Sequence, residues 1–199
     1  MREGYIEDYV SGLEVRGTPE EVQAVQPLSK ILVEDYGYPK ELLVTHPQYR
    51  VKIRPSDEKK EYPIDIGVFS ANTKTDDDIY IVCECKKKTR KDGMTQLKDY
   101  LRFCTATLGV WYNGEERIYL RKFEKDGKVE FVEIPNIPKY GQRVEDIGRF
   151  KRSELQSTHN LKGTFKAIRN HLAANTVGAT RDEVLAQQLI NIIFCKIYD

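Results

Sequence analysis

The sequence predicts an α/β domain with a mixed sheet flanked by helices, followed by a small all-helical extension. The first observation is the order of patterns between residues 18 and 134: one helix, three strands, a second helix and two or three further strands. The second is a change after the Pro-Asn-Ile-Pro run at residues 135–138, beyond which only helical patterns occur. We therefore expect one domain at residues 1–148 and a helical segment at residues 149–199.

The composition bounds the class of protein. A chain of 199 residues that is 40% hydrophobic and 32% charged can bury a core and resembles ordinary soluble proteins. No apolar run reaches the roughly 18 residues of a membrane span, and the N-terminus lacks the apolar core of a signal peptide. The four cysteines show neither C-x-x-C pairing nor zinc-finger spacing. We expect a cytoplasmic protein with reduced, buried cysteines.

The first helix is predicted over residues 18–37. Thr18 fits the N-cap, Pro19 the first turn and Glu21 the reciprocal position of a capping box. Apolar residues follow at helical spacing, and Pro27 within that pattern predicts a kink or a split. The Gly-Tyr-Pro run at residues 37–39 ends the helix, while residues 1–17 read as an irregular or short-strand arm.

Strands and a second helix fill the middle of the chain. Residues 49–53 and 63–69 read as strands joined by a polar connection, and residues 79–85 read as a buried central strand. Residues 95–104 have helical spacing. Strands are then predicted over residues 106–112, 117–123 and 129–134, with a hairpin turn at Asn113-Gly114.

The helical segment is predicted to contain helices over residues 161–174 and 180–198. The apolar face of the second helix continues to the end of the sequence without a Gly, Asn or Pro stop. This pattern indicates a piece of a longer protein.

The central strand carries the strongest functional signal. The run Ile-Tyr-Ile-Val-Cys-Glu-Cys-Lys-Lys-Lys begins at residue 79, and strand periodicity directs Glu84 and Lys86 to the same face. Charges at the end of a buried strand are costly to desolvate. Asp65 lies in the preceding apolar strand, so a carboxylate from each strand can meet at one edge of the sheet.

These residue types suit a metal-dependent nuclease. The carboxylates of Asp65 and Glu84, with a backbone carbonyl such as that of Cys85, are hard oxygen ligands for Mg²⁺. Such an ion binds a phosphate oxygen and lowers the pKa of a bound water. Lys86 can orient or deprotonate that water and stabilise negative charge.

The alternative for these three residues is a cross-strand salt bridge without catalysis. Two neighbouring features favour the site. Asp65 lies among apolar residues, where a purely structural carboxylate is disfavoured. Gln96 and Tyr100 share one helix face and can hydrogen-bond a phosphate or the lysine, although a surface Gln beside a core Tyr gives the same pattern.

Other residue classes are less informative. The net charge of +1 implies no bulk attraction to DNA, so DNA contacts are expected from the local cluster of Lys86, Lys87, Lys88, Arg90 and Lys91. The three histidines are far apart and are not spaced with carboxylates, which disfavours a histidine metal site. Cys83 and Cys85 flank Glu84 and are expected to point into the core.

The motif Pro-Ile-Asp, then Glu-Cys-Lys, then a helical Gln-x-x-x-Tyr resembles the PD-(D/E)XK nuclease superfamily, which has a restriction-endonuclease-like fold. The lead-ins T-P-E-E-V-Q and L-V-E-D-Y-G-Y-P-K-E-L-L are similar to the N-terminal nuclease domain of type I restriction enzyme R subunits. This resemblance covers about residues 18–123.

The resemblance implies metal ligands at Asp65 and Glu84, a catalytic Lys86 and a supporting Gln96 with Tyr100. It also implies Mg²⁺, with Mn²⁺ able to substitute, and double-stranded DNA as substrate. An acidic residue of the first helix joins the site in some members, which here is Glu21 or Glu20. Position 23 is Gln where relatives often carry a basic residue, so DNA contacts from this helix are not implied.

The tail contains L-K-G-T-F-K-A-I-R-N-H-L and L-A-Q-Q-L-I-N-I-I-F-C-K-I-Y-D. These runs resemble the helical segment before the catalytic domain of N6-adenine DNA methyltransferases. An Asn/Asp-Pro-Pro-Tyr/Phe motif and a Gly-rich cofactor loop are missing from these residues, so this chain is not expected to methylate. It has no G-x-x-x-x-G-K-[ST] phosphate loop, so no nucleotide cofactor site is expected. The partners implied are methyltransferase and specificity domains or subunits.

Two other functions stay open at this stage. The first is a non-cleaving module of the same fold that binds DNA or a partner protein. The second keeps the chemistry in a DNA-repair or mobile-element nuclease. An intact Asp65, Glu84 and Lys86 set favours the restriction nuclease over a module whose site has decayed.

Overall fold

A computed structural model describes residues 2–54 and 56–147, together with residues 166, 168–171, 184, 186–187 and 189–191 of the helical segment. The chain divides into two compact units, residues 1–149 and residues 150–199. In the described part of the chain, no helix is both long enough and apolar enough to cross a membrane.

The N-terminal arm is a small hairpin rather than irregular chain. Strands β1 (Tyr5–Glu7) and β2 (Glu14–Arg16) pair in antiparallel fashion. None of their six residues is fully buried, which explains why no period-2 apolar pattern marks them in the sequence.

The first helix is split, as Pro27 predicts. A π-helical turn, Glu21–Val25, leads into helix α1, Gln26–Glu34, and Pro27 lies in the first turn of α1. Proline lacks an N–H and its ring would clash with a carbonyl four residues earlier, so a wider turn before it relieves the conflict.

Only half of the predicted capping box forms at the start of this helix. The backbone N–H of Glu21 donates to Thr18 Oγ1 at 3.2 Å. The N–H of Thr18 donates instead to the carbonyl of Arg16 at 2.8 Å. The prediction that the Glu21 carboxylate closes the box was therefore wrong, and that carboxylate is used elsewhere.

The main sheet of the described residues has six strands in the order β10-β9-β8-β7-β6-β3. Its members are β3 (Leu43–Val44), β6 (Ile66–Phe69), β7 (Ile79–Cys85), β8 (Leu108–Tyr112), β9 (Arg117–Lys125) and β10 (Lys128–Ile134). The mixed α/β architecture is confirmed, and β7 has the predicted bounds. The two-residue edge strand β3 was not predicted, because it is too short to show a period.

One parallel pair interrupts the antiparallel sheet. Strands β7 and β8 are parallel, and helix α2 (Met94–Phe103) connects them. The other neighbours are antiparallel, including β8 and β9 across the predicted Asn113-Gly114 turn. Gly114 adopts a φ of +90°, which favours glycine.

The strand predicted over residues 63–69 is broken in two. Its start is β5 (Tyr62–Pro63), which pairs with β4 (Arg50–Val51) in a separate two-stranded ribbon. Ile64 and Asp65 lie between that ribbon and β6. The predicted continuous strand was wrong at Asp65, because the side chain of that residue takes over a backbone hydrogen bond.

The sheet separates two apolar layers. On one face, the π-helical turn and α1 pack against a layer that includes Cys83 and Cys85, the turn through Ala24 and Val25 and the helix through Leu28 and Leu32. On the other face, α2 packs through Leu97, Tyr100 and Leu101 against a layer that includes Val82 and Trp111. The inward orientation of both cysteines is confirmed. The described cysteines, Cys83, Cys85 and Cys104, are free thiols.

The second unit is described in part. The described residues between 166 and 191 are helical. The rest of the two predicted helices, and Cys195 with them, lie outside the described residues.

Candidate active site

The ends of β6 and β7 position three charged side chains. Asp65 immediately precedes β6, Glu84 is the penultimate residue of β7, and Lys86 follows it. The register pairs Ile66 with Cys83, so the next step along the antiparallel pair sets Asp65 opposite Glu84. The sheet therefore brings the predicted residues to one edge.

Asp65 interrupts its strand because its carboxylate, and not a backbone carbonyl, accepts a hydrogen bond from the neighbouring strand. Its Oδ2 atom accepts the backbone N–H of Cys85 at 2.6 Å. Its Oδ1 atom is 3.4 Å from Gln48 Nε2, a weak hydrogen bond. The carboxylate satisfies a β7 donor that would otherwise bond to a neighbouring strand. The break between β5 and β6 thus directs a half-buried carboxylate toward the end of β7.

Glu84 and Lys86 form a buried ion pair. Their exposed fractions are 1% and 8%, and Lys86 Nζ donates to Glu84 Oε1. The backbone N–H of Lys86 donates to the carbonyl of Tyr112 at 2.9 Å, which extends the β7–β8 pairing by one residue. A buried pair gains little net stability after desolvation, so the fold has no energetic need for it.

Gly93 makes room for this pair and was not recognised from the sequence as a site residue. It precedes α2 with a φ of +99°. A Cβ atom here would lie 2.8 Å from Lys86 Cε and 3.3 Å from Glu84 Cγ. The neighbouring carbonyl of Asp92 accepts the indole N–H of Trp111 at 2.8 Å, which fixes the loop. The only sequence signal was a glycine directly before a helix.

The surroundings of the site favour the protonated form of its two carboxyl groups. The pKa of Asp65 is raised to about 6, mainly by burial and also by the charge of Glu20, although the Cys85 N–H and Lys86 act to lower it. Burial and then the Asp65 charge raise the pKa of Glu84. Burial is the largest effect on the pKa of Lys86 and lowers it, but the carboxylates around it leave that pKa above its ordinary value. Lys86 is therefore cationic at neutral pH, and the two carboxylates repel each other.

Two neighbouring glutamates of the first helix, Glu20 and Glu21, have different surroundings. Glu20 raises the pKa values of both Asp65 and Glu84, and Glu21 raises that of Asp65 by less than Glu20 does. Glu21 is buried, and its Oε1 atom accepts Gln26 Nε2 at 2.7 Å and lies 3.2 Å from His46 Nε2. The structure therefore favours Glu20 over Glu21 as the acidic residue of the first helix that serves this site.

Glu21 belongs to a second cluster, in which ligand atoms of Asp8, Glu21 and His46 lie within 4.8 Å of one another. The histidines are not spaced with carboxylates along the chain, but the fold brings His46 close to two carboxylates that are distant in sequence. Asp8 is fully buried, and both of its oxygens accept hydrogen bonds, from Gln26 at 2.7 Å and from Ser11 and Thr45 at 2.6–2.7 Å. These bonds lower the pKa of Asp8 despite its burial. The cluster is explained as a network that ties the β1–β2 arm to the first helix.

Gln96 and Tyr100 form a chain of hydrogen bonds beside the site. Gln96 Nε2 donates to Tyr100 Oη, and Tyr100 Oη donates to the carbonyl of Pro63 at 3.1 Å. Tyr100 is buried, whereas Gln96 is exposed. Tyr100 therefore anchors the β4–β5 ribbon near Asp65. Gln96 is the member of the pair that a substrate can reach.

The basic loop, residues 87–91, carries less net positive charge with its surroundings than its sequence suggests. Lys91 pairs with Glu116 at 2.7 Å, Lys88 lies 3.4 Å from Glu115, and Arg90 pairs with Asp92. Lys87 is exposed and, within the described residues, forms no ion pair. The loop carries positive charge balanced by nearby acids, which weakens its case as the main DNA contact.

The donor set at the sheet edge fits a hard divalent cation. Asp65 and Glu84 offer carboxylate oxygens, Cys85 a backbone carbonyl and Glu20 a further carboxylate within electrostatic reach. Mg²⁺ takes oxygen ligands and keeps several waters, so two or three protein oxygens suffice. Burial is the main cause of the raised carboxylate pKa values, and the negative charges of the neighbouring carboxylates add to it, which a bound cation would offset.

A family model described as type I restriction enzyme R protein N terminus (HSDR_N) matches residues 19–138. The match covers more than half of the chain and contains every residue of the sheet-edge site. Neither a search of curated proteins nor a search of solved structures gives a significant match.

Proposed function

The chain belongs to the family of type I restriction enzyme R protein N termini, and on that premise we propose that it is a Mg²⁺-dependent DNA endonuclease domain. The observation that carries the proposal is the meeting of Asp65, Glu84 and Lys86 at one sheet edge, with Asp65 inserted into the backbone ladder. The resemblance to restriction R subunits is confirmed by the family. The assignment to the PD-(D/E)XK superfamily remains part of this proposal.

In the proposed reaction, Asp65, Glu84 and the Cys85 carbonyl would hold Mg²⁺, and the Glu20 carboxylate would add to the negative charge around it. The ion would supply Lewis-acid chemistry to the phosphate and would lower the pKa of a water that it binds. Mn²⁺ is expected to substitute because it accepts the same oxygen ligands.

Lys86 acts through its charge. Because its pKa is raised, the ammonium stays protonated at neutral pH and stabilises the negative charge that develops on the phosphate. Glu84 orients it by accepting its hydrogen bond. Gln96 is placed to donate to a phosphate oxygen or the attacking water, with Tyr100 fixing its side chain. Lys86 is thus proposed to act by electrostatic stabilisation and not as a general base.

The substrate in this proposal is double-stranded DNA. Lys87 is the exposed member of the basic loop for phosphate contact, while Lys88, Arg90 and Lys91 would exchange their acidic partners for phosphates. The methyltransferase and specificity functions of the system are proposed partners, and residues 149–199 are proposed to lead into a methyltransferase-like domain.

Calorimetric titration with Mn²⁺ tests metal binding independently of cleavage. We expect one site in the 199-residue chain, abolished in Asp65→Ala and Glu84→Ala and retained in Glu116→Ala, which removes an exposed carboxylate of the loop pair. No binding by the unmodified chain, or binding unaffected by Asp65→Ala, would overturn the proposal in favour of a non-cleaving module.

Cleavage is then measured as nicking of supercoiled plasmid by the chain assembled with the remainder of its enzyme. Glu84→Ala and Lys86→Ala should each lower the rate by at least about a hundredfold, as expected when a charge aimed at the transition state is removed. Full activity in Glu84→Ala would refute the catalytic assignment.

A further inference from the structure

A cavity of about 440 Å³ lies outside the proposed active site, and none of the site residues lines it. The segment around β4 and the C-terminal end of α2 form its walls, through Tyr49, Arg50, Lys52, Lys60, Arg102 and Phe103. This volume falls in the range of pockets that take small organic groups, about 300–1,000 Å³.

The walls carry an excess of positive charge. Four cations face a single carboxylate, that of Asp76, which is held by Lys60 and by the hydroxyl of Tyr49. Arg102 pairs with Asp99 at 2.8 Å outside the cavity.

Arg50 and Lys52 differ from the cations of the basic loop. Arg50 donates to a backbone carbonyl, that of Glu61. Neither side chain forms an ion pair with any residue that the structure describes. They therefore remain available to an anion, whereas Lys88, Arg90 and Lys91 are already balanced by acids.

Aromatic side chains border the same cavity. Phe103 is 36% exposed at the end of α2. The ring of Tyr49 packs edge-on against Phe69 with centroids 5.1 Å apart, which fixes its position. Aromatic faces beside cations are the composition of surfaces that bind single-stranded nucleic acid, because bases stack on the rings while cations contact phosphates.

The chain links the cavity to the proposed active site. Gln48 contacts Asp65, and the next residue, Tyr49, lines the cavity. Ile79, at the start of β7, also lines the cavity, and Glu84 lies five residues further along that strand, which corresponds to about 17 Å at about 3.3 Å per residue. Since a DNA strand carries one phosphate per about 3.4 Å of helix axis, a strand bound at the active site reaches the cavity after about five nucleotides.

We propose that the cavity binds one unstacked nucleotide of the DNA strand that enters the active site. The base lies against Phe103 and Tyr49, and its phosphate contacts Arg50 and Lys52. This inference rests on the proposed function for the identity of the polymer, but it concerns binding and not cleavage.

Fluorescence anisotropy of a labelled single strand of about 12 nucleotides, measured with the full chain in EDTA, tests the inference without any contribution from the metal. Arg50→Glu and Lys52→Glu should each weaken binding about tenfold and make the slope of log affinity against log salt shallower by about 0.7 for each phosphate contact removed. Phe103→Ala should weaken binding at least about fivefold at unchanged salt dependence. Lys125→Glu, the same charge change on an exposed residue of β9, should bind as the unmodified chain does.

Photocrosslinking with a 4-thiothymidine strand locates the base directly. We expect crosslinks in the peptides that contain Tyr49 and Phe103. Crosslinks confined to residues 86–91, or unchanged affinity in both Lys52→Glu and Phe103→Ala with native thermal melting, would overturn the inference. Competition by ATP as strong as that by the oligonucleotide would also overturn it and assign the cavity to a free nucleotide.

The outcome is separable from that of the proposed function. If Glu84→Ala binds the strand but does not nick DNA, both proposals stand. If Glu84→Ala retains nicking while Lys52→Glu still fails to bind the strand, the catalytic assignment fails and the cavity assignment stands.

Discussion

The unmodified chain should lose folding stability as the pH rises through the pKa of Asp65, and the substitution Asp65→Asn should remove that loss. The folded pKa of Asp65 is about 6 against an ordinary value of 3.8. Because the folded pKa is the higher one, the protonated carboxyl favours the fold fully below pH 3.8, and this contribution disappears as the pH rises through 6. A difference of about 2 in pKa corresponds to about 3 kcal/mol at about 1.36 kcal/mol for each pKa unit. Since the side chain retains some contact with water, about 1–3 kcal/mol is expected.

Asparagine is neutral throughout this range, and its amide oxygen can still accept the Cys85 N–H. The stability of Asp65→Asn relative to the unmodified chain should therefore rise by about 1–3 kcal/mol between about pH 4 and pH 7. Urea unfolding in EDTA measures it, and the single tryptophan, Trp111, reports the transition because it is buried next to the site. Asp126→Asn, in the exposed β9–β10 turn with a φ of +52°, is the matched control.

Bound Mg²⁺ should act in the opposite direction on the stability difference between the two proteins. Mg²⁺ at about tenfold its dissociation constant should stabilise the unmodified chain by about 1.4 kcal/mol and leave Asp65→Asn unaffected. If the stability difference between the two proteins instead stays constant between about pH 4 and pH 7, that result would refute the view that the fold disfavours the charged form of Asp65.

Three further outcomes are expected. Gly93→Ala should fold with lower stability and reduce nicking activity at least about tenfold, since its Cβ would lie 2.8 Å from Lys86 Cε, and activity equal to the unmodified enzyme would contradict the packing described. Glu20→Gln should weaken Mn²⁺ binding in calorimetry, whereas Glu21→Gln should chiefly lower the melting temperature, and the reverse pattern would return Glu21 to the metal site. The Mn²⁺ affinity should rise between about pH 5 and pH 9, because protons compete for Asp65 and Glu84, and an affinity independent of pH would exclude both carboxylates as ligands.

The sequence predicts the central strand well because its signal is local. The apolar, β-branched run that becomes β7 fixes the alternation that buries Cys83 and Cys85 on one face and directs Glu84 to the other. The Asn113-Gly114 turn has the same local character. Elements decided by tertiary contacts were missed, as in the two-residue edge strand β3, or were altered, as at the break before β6.

Asp65 shows why the boundary of a strand could not be read from residue patterns. Its flanking residues are apolar and favour a continuous strand, and the break arises from a hydrogen bond to Cys85, twenty residues later. The same holds for Glu21, whose capping role is locally plausible but whose carboxylate bonds to Gln26 and His46. Where a side chain can form a hydrogen bond either to a neighbour in sequence or to a distant residue, the residue pattern does not tell which bond forms.

The basic loop gives the clearest functional consequence of that limit. From the sequence, its lysines and arginine form a cationic cluster, and each is a candidate for DNA contact. In the fold, the β8–β9 turn brings Glu115 and Glu116 against Lys88 and Lys91. Binding a phosphate there requires an ion pair to open and two acidic groups to remain near the DNA, so its net benefit is small. Cations without acidic partners are therefore better predictors of the DNA path, and this criterion favours Lys87, Arg50 and Lys52 over Lys88, Arg90 and Lys91.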